Sequence, residues 1–531
     1  MKKAPTETEI KLTSDQPFPP GSIRNALAEI CTEVRPPTPR LVRDRYLDTE
    51  DWRLYIAGAV LRVRRAENGF KAALKARTPI SEGLAARPEI EEVLTEAPAS
   101  ETPPPLGQVV SEWLAPILAD QPLRTLVEIE KQGEAFHAVS PGGLGLNVTF
   151  ERVRVLSADS RPEFFEAELE LVTGKVKDLV KLGKKLRERL HLAAGTTSKF
   201  DRALDMLGLD PPQLVEDGSL TLRRDDRFVD SAYRTLRRHF RRMVWFEPGT
   251  RLGLDPEYLH DMRVATRRLR AALRVFHEAL PPTRADSIKR DLKWLADALG
   301  GVRDLDVHLE WLAGAAQALP ESMRSAVDGY GQETMARRQK ARGNMLRVLD
   351  SKRFAVFVER VGRFLESDPP ARPAGPSASA AVVEAAPRLV KKRLNRVLKD
   401  GRALSSEAPD EALHALRIRF KRLRYTCEFF TDLYGGPAEK LAKRATALQD
   451  ILGAHQDACV ARKTLENLGT ALSGRQGVDR RLGMAVGMLS AAETERARRQ
   501  RAAFFKAWKR FDRKKVRDRL LTRMKKVARR K

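Results

Sequence analysis

Two copies of one seventeen-residue segment constrain this chain more than any other feature. HDMRVATRRLRAALRVF starts at His260, and HALRIRFKRLRYTCEFF starts at His414, 154 residues later. Counted from each histidine, both copies hold Arg at the third position, a cation at the seventh and Arg at the eighth. Both then hold Leu at the ninth, Arg at the tenth and Phe at the sixteenth. LGGVRDLDV from Leu299 and LGAHQDACV from Leu452 repeat at a nearly equal offset of 153, so a whole block is duplicated. Apolar residues recur at helical spacing through both blocks. Residues 223–510 therefore read as an all-α domain of two repeats, about 223–367 and 388–510. A Pro/Ala/Ser-rich stretch at 368–387 reads as the linker between them, and 511–531 as a basic C-terminal tail.

At about 100° per residue, His260, Arg263, Arg267 and Arg270 fall in one stripe, with Arg268 beside it. His414, Arg417, Lys421 and Arg424 repeat the stripe, with Arg422 beside it. Leu269, Leu273 and Phe276 lie opposite in the first copy, and Leu416, Phe420, Leu423 and Phe430 in the second. Like charges at these spacings repel. A merely solvated face would mix signs, so two rails of cations without interleaved Glu point to a polyanion.

The charge balance agrees. The net charge is +27, yet residues 1–210 hold 30 Lys+Arg against 32 Asp+Glu, so the whole excess lies beyond residue 210. RNP, KH and zinc-finger patterns are absent, and the aromatics fall mostly on apolar faces, which disfavours nucleic acid. Cys31, Cys427 and Cys459 are too scattered for a disulfide framework and fit a reducing compartment. The first residues lack an apolar signal segment, and no run of about 18 apolar residues predicts a membrane span. A cytoplasmic protein is expected.

Residues 5–210 follow a different period. TETEIKL, GAVLRVRR, FKAALKAR, PEIEEVL, LRTLVEIEKQ, LNVTFERVRV and FFEAELEL alternate, which predicts strands and a barrel or sandwich. Leu179, Leu182, Leu186 and Leu190 then predict one capping helix. Glu7, Glu9 and Lys11 share a strand face. So do Arg62 with Arg64, Lys71 with Lys75, Glu89 with Glu91, and Glu166 with Glu168 and Glu170. If the apolar faces build the core, the charged faces converge on a pocket for a divalent metal and a polyanion together. For any single strand, a wet, salt-bridged sheet face is the alternative.

The duplicated helices resemble the CHAD domain over about 223–510. That resemblance implies inorganic polyphosphate bound in a basic groove lined by His260, Arg263, Arg267, Arg268, Arg270, His414, Arg417, Lys421, Arg422 and Arg424. TETEIK, RYLDTEDWRLYIAGAVLRVRR, GFKAALKA, RPEIEEV, EAELELVTG and TTSKFDRAL, in order over about 5–207, resemble the CYTH family of triphosphate tunnel metalloenzymes. This second resemblance implies an antiparallel eight-stranded β tunnel in which Glu7, Glu9, Glu168 and Glu170 hold Mg²⁺ or Mn²⁺. It implies Glu7, Glu9, Lys11, Arg62 and Arg64 as the catalytic set, with Lys75, Arg124, Lys199 and Arg202 as further substrate contacts. The chain departs from the family at Leu126, where a second Arg is usual, and at Asn147 and Glu151, where Glu and Asp are usual.

The expectation is an α+β multidomain chain: a tunnel domain at 5–210, then the helical domain. Its function would be metal-dependent hydrolysis of inorganic triphosphate, with polyphosphate bound by the helices and polyphosphate granules as a place of association. Two alternatives stay open. One is a non-catalytic polyphosphate scaffold; the other is a nucleotide or thiamine triphosphate enzyme of the same fold. A Walker-type enzyme is disfavoured, since GxxxxGK[ST] is absent.

Overall fold

A computed structural model describes residues 4–19, 21–66, 69–94, 106–118, 121–214, 220–373, 375, 377–473, 479–513, 521–524 and 526. The chain divides into two compact units, Met1–Leu214 with Trp245–His260, and Val215–Val244 with Asp261–Lys531.

The first unit is built on β1 (Thr6–Ser14), β2 (Glu33–Val34), β3 (Thr38–Asp48), β4 (Ala59–Ala66), β5 (Gly69–Ala76), β6 (Leu84–Leu94), β7 (Arg124–Val139), β8 (Gly145–Val155), β9 (Glu163–Thr173) and β10 (Ala193–Ala194). Around the strands lie α1 (Ser22–Ala28), α2 (Arg53–Ile56), α3 (Gln108–Leu118), α4 (Val176–Leu190) and α5 (Lys199–Leu207). Eight strands run in the order β1-β6-β5-β4-β3-β7-β8-β9, and β9 pairs back onto β1. Every pairing is antiparallel, so the expected eight-stranded barrel closes. Closure leaves no sheet edge open. The strand that alternation did not announce is β3, because TPRLVRDRYLD puts charges on both of its faces.

Alternation sorts the side chains. Ile10, Leu12, Leu146, Val148 and Leu169 turn outward under α1 and α4, packing on Ile23, Leu27, Leu179, Leu182 and Leu186. Leu61, Val63, Leu74 and Ile90 turn outward against Val110, Trp113 and Leu114 of α3, with Leu252 and Leu254 from the second stretch of this unit. One expected capping helix is thus joined by others. Inside, the face that carries Lys131, Glu151 and Glu166 continues as Ile129, Val127, Val153, Val155 and Phe164. Those residues pack on Phe200, Ala203 and Leu204 of α5. Helix α5 therefore fills one end of the barrel.

The second unit is helical, from α6 (Phe228–Trp245) onward. The helix α7 (Glu247–Leu252) belongs to the first unit, and the second continues with the rest of α8 (Pro256–Val275), α9 (Pro282–Gln317), α10 (Glu321–Leu349) and α11 (Lys352–Glu366). The second repeat supplies α12 (Val382–Arg402), α13 (Asp410–Phe429), α14 (Thr431–Tyr434), α15 (Gly436–Ser473) and α16 (Arg480–Phe511). The duplication shows in space: the hairpins α9–α10 and α15–α16 meet through Leu312, Met323 and Val327 against Leu465, Val486 and Leu489. Leu269, Leu273, Phe276, Leu416, Phe420, Leu423 and Phe430 are all buried.

The stretch read as a linker is anchored at its end. Val229 N–H donates to Ala378 at 3.0 Å, Phe228 N–H to Ala380 at 2.9 Å, and Val382 N–H to Asp226 at 2.9 Å. Helix α12 already starts at Val382 and takes in Pro387.

Candidate active site and anion-binding groove

The barrel interior encloses a cavity of about 600 Å³. Ten Lys/Arg and seven Asp/Glu side chains line it, with Asp44, Glu151 and Glu166 buried behind them, so cations and carboxylates interleave over its walls. Glu7, Glu9, Lys11, Arg62, Arg64, Lys75, Glu168, Glu170 and Lys199 are all among them. They come together because β1 stands between β6 and β9. Glu7 pairs in register with Arg87, Glu9 with Glu170, and Lys11 with Glu168.

Acids and bases neutralise one another here. Lys75 lies 2.8 Å from Glu7 and 3.0 Å from Glu89; Arg87 lies 3.3 Å from Glu7 and also binds Glu9. Burial alone would raise the Glu7 carboxyl, but Lys75 and Arg87 hold it down at about 2. Lys11 is fully buried, 3.0 Å from Glu166 and 3.3 Å from Glu9, and also binds Glu168. Lys199, the first residue of α5, reaches Glu166 and Glu168 at 2.8 Å each. Burial opposes both ammonium charges, yet the surrounding glutamates raise both lysines above their ordinary value.

Deeper lies a group that strand patterns did not reveal. Asp44 of β3 is fully buried, with Arg64 at 2.8 and 3.1 Å and Lys131 at 2.9 Å. Burial pushes Lys131 down to about 7 against the pull of Asp44 and Glu151. Both Glu151 oxygens are buried without a hydrogen-bond donor, while Lys199, Arg40 and Lys131 stand at 3.6, 3.7 and 3.9 Å. Arg40, Asp44, Arg87 and Lys131 were missed in the sequence. The available signals were Arg87 at the head of RPEIEEV and Lys131 two residues beyond Ile129.

Arg124 and Arg202 are not brought to the cavity. Arg124 opens β7 at the barrel rim, exposed, where Nη2 donates to the Glu50 carbonyl at 3.3 Å. Arg202 lies one turn along α5, and its guanidinium covers the Phe164 ring at 4.3 Å.

The donors suit a hard divalent cation. Glu170 is half-buried, and burial raises its carboxyl, with Glu7 and Glu9 adding repulsion. Oxygen donors crowded until they repel are what Mg²⁺ or Mn²⁺ relieves. Glu7 and Glu9 would have to leave Lys75 and Arg87 to bind it.

In the second unit, α8, α9, α12 and α13 surround a cavity of about 1110 Å³ lined by ten Lys/Arg and three Asp. Of the expected rail, Arg263, Arg267, Arg270, Lys421 and Arg422 face it; His260, Arg268, His414, Arg417 and Arg424 do not line it. Arg268 and Arg424 turn instead to Glu428, at 2.9 and 3.5 Å. Arg263 pairs with Asp304 at 2.8 Å. Arg274, Lys392, Arg393 and Arg396 join the cavity, the last three from a basic run on α12 that lies outside the duplicated segment. Among the described residues Arg267, Arg270, Arg274, Lys392, Arg393, Arg396, Lys421 and Arg422 have no carboxylate within ion-pair distance. Burial, then Arg267, Arg417 and Arg424, push Lys421 down to about 7, and Arg267 falls for the same kind of reason. Cations this crowded, with few carboxylates among them, suit the chemistry of an anion.

Residues 22–204 match the CYTH domain, and residues 234–466 match the CHAD domain. An uncharacterized protein of Mycobacterium tuberculosis, Rv2226, is 27% identical over 423 residues, 76% of this chain and 78% of its own length. The CHAD domain from the plant Ricinus communis is 25% identical, covering 54% of this chain and 94% of that one, with a TM-score of 0.45. A putative adenylyl cyclase from Hippeastrum, described as having a dominant triphosphatase activity, is 18% identical. It covers 39% of this chain and 98% of that one, with a TM-score of 0.26. The barrel closed by β1 and β9 and the duplicated cationic helices are accordingly a CYTH domain followed, in one chain, by a CHAD domain.

Proposed function

We propose that the tunnel hydrolyses inorganic triphosphate with Mg²⁺ or Mn²⁺ and that the CHAD domain binds polyphosphate. One observation carries the first part: a cavity of about 600 Å³, filled by α5 at one end, holds a dense set of cations interleaved with carboxylates. Arg62, Arg64, Lys75, Arg87 and Lys199 would take the phosphate oxygens, the guanidinium groups in bidentate fashion. Glu7, Glu9, Glu168 and Glu170 would hold the metal, which supplies Lewis-acid neutralisation of the phosphate oxygens when bound. Water adds to a terminal phosphorus, the P–O–P bond breaks, and phosphate and diphosphate result. The filled end favours a three-phosphate chain over a polymer that must thread through. In the CHAD domain, the cations without carboxylates support a long polyanion.

The test is phosphate release from tripolyphosphate, ATP, thiamine triphosphate and long-chain polyphosphate, each with Mg²⁺ and with Mn²⁺. Tripolyphosphate should give the highest kcat/KM. A higher value for ATP or thiamine triphosphate would move the reading to an organic triphosphate. One observation favours a non-catalytic scaffold, the rim position of Arg124. Tripolyphosphate that binds without phosphate release under either metal would establish that reading instead.

A further inference from the structure

The CHAD domain contains a second cluster, away from the cation groove. Asp410 is the first residue of α13, and His455 and Cys459 stand four apart on α15. That spacing turns both donors to the same side of the helix. Asp410 Oδ1 lies 3.3 Å from His455 Nε2, and Asp410 Oδ2 lies 3.3 Å from Cys459 Sγ. The sulfur lies 3.9 Å from the imidazole nitrogens. We propose that Asp410, His455 and Cys459 form a zinc-binding site.

The donor set and its dimensions point the same way. Tetrahedral zinc with bonds of about 2.0–2.1 Å to N or O and about 2.3 Å to S has donor–donor edges of about 3.3–3.6 Å. Asp410 meets His455 through Oδ1 and Cys459 through Oδ2, each at 3.3 Å, and the sulfur–imidazole edge of 3.9 Å lies above that range, so a small turn of the carboxylate and a closing of that edge would complete the set. Thiolate, imidazole and carboxylate together select Zn²⁺ over Mg²⁺, which takes oxygen ligands. Among the described residues this is the group of three His, Cys, Asp or Glu side chains whose donor atoms lie within 4.8 Å of one another. Three ligands leave one vertex for water.

The surroundings fit as well. His455 is buried, with Nε2 turned to Asp410. Arg501 donates to Asp410 Oδ1 at 2.6 Å, and Arg462 lies 3.5 Å from Oδ2. Such outer contacts orient a ligating carboxylate. The two arginines oppose added positive charge, and loss of the thiol proton keeps that charge to one. Zn²⁺ with one carboxylate and one thiolate is neutral, so binding adds only one positive charge to the occupied Asp410. The exchange balances as Zn²⁺ plus the Cys459 thiol giving the zinc thiolate and one H⁺.

The duplication isolates the feature. At the shared offsets, the first repeat has Pro256, Val302 and Asp306 where the second has Asp410, His455 and Cys459. The three donors are therefore specific to the second repeat. The site would clasp the start of α13, the helix that carries Lys421 and Arg422, to α15.

The full-length chain, stripped of metal, is titrated with Co²⁺ and then Zn²⁺. One equivalent of Co²⁺ should release one proton and give tetrahedral d–d absorption with a thiolate-to-metal charge-transfer band, and Zn²⁺ should then displace Co²⁺ without further proton release. The tunnel donors are oxygens and cannot give that band. Cys459→Ser should abolish it, and His455→Gln should weaken Co²⁺ binding at least about tenfold. In the wild-type chain, Zn²⁺ should slow iodoacetamide alkylation of Cys459, followed by mass spectrometry, independently of whether the variants fold. No thiolate band, a band that survives Cys459→Ser, or alkylation unchanged by Zn²⁺ would each overturn the site.

Discussion

Tyr434 gives its hydroxyl proton to the Val383 carbonyl at 2.5 Å. That carbonyl lies four residues before Pro387, which has no N–H to continue the helical ladder of α12. Tyr434 thus satisfies the acceptor that proline leaves open, within a buried pair. Helix α12 also carries Lys392, Arg393 and Arg396 into the anion groove, so this bond steadies its first turns.

Tyr434→Phe should cost about 1–3 kcal/mol in denaturant unfolding, the price of a buried carbonyl without a donor. In a Pro387→Ala background the helix supplies its own N–H, and the same change should cost close to nothing. A double-mutant cycle measures the difference; equal costs in both backgrounds would dissolve the link.

Glu7→Gln and Glu9→Gln should each lower metal-dependent release of phosphate from tripolyphosphate by about 100-fold or more, since each removes ligand charge without changing size. Circular dichroism should stay native. Turnover within twofold of wild type in both variants would refute the tunnel assignment.

The groove should discriminate between its own arginines. Replacing Arg267 and Lys421 by Ala removes two charges that lack carboxylate partners, each worth about 1.5–3 kcal/mol toward a phosphate. Polyphosphate affinity should fall more than tenfold, with a shallower dependence on salt. Arg268→Ala with Arg424→Ala, whose partners are Glu428, should leave affinity almost unchanged. Equal losses for the two pairs would mean that only net charge matters.

Polyphosphate binding should weaken as pH rises through about 7. Lys421 sits near that value because burial and the facing guanidinium groups Arg267, Arg417 and Arg424 disfavour its charged form. A bound polyanion favours the charged form, so binding takes up a proton above pH 7 and affinity declines by at most about tenfold per unit. Below about pH 6 the group is charged in both states and adds no slope. Lys421→Arg should flatten the profile. His277 also lines the groove, so His277→Gln is the control that assigns any remaining slope.

The helical period of the two cationic segments and the alternation along Glu7–Glu9–Lys11 determined a strand domain followed by a duplicated helical one. They also determined which faces would be buried, because the face a side chain takes depends only on its near neighbours in the chain. Period says nothing about partners. Closure of the barrel rests on the register of Glu9 against Glu170 and Lys11 against Glu168, more than 150 residues apart, and β3 entered it with no apolar alternation at all. Arg268 and Arg267 are adjacent and alike in sequence. Only the fold placed Glu428 beside the first and none beside the second. The tertiary structure likewise put α5 into one end of the tunnel, added the α12 cations to the groove, and brought Asp410 to His455 and Cys459. Each of these depends on distances between segments, and those are set by packing of the whole chain rather than by local pattern.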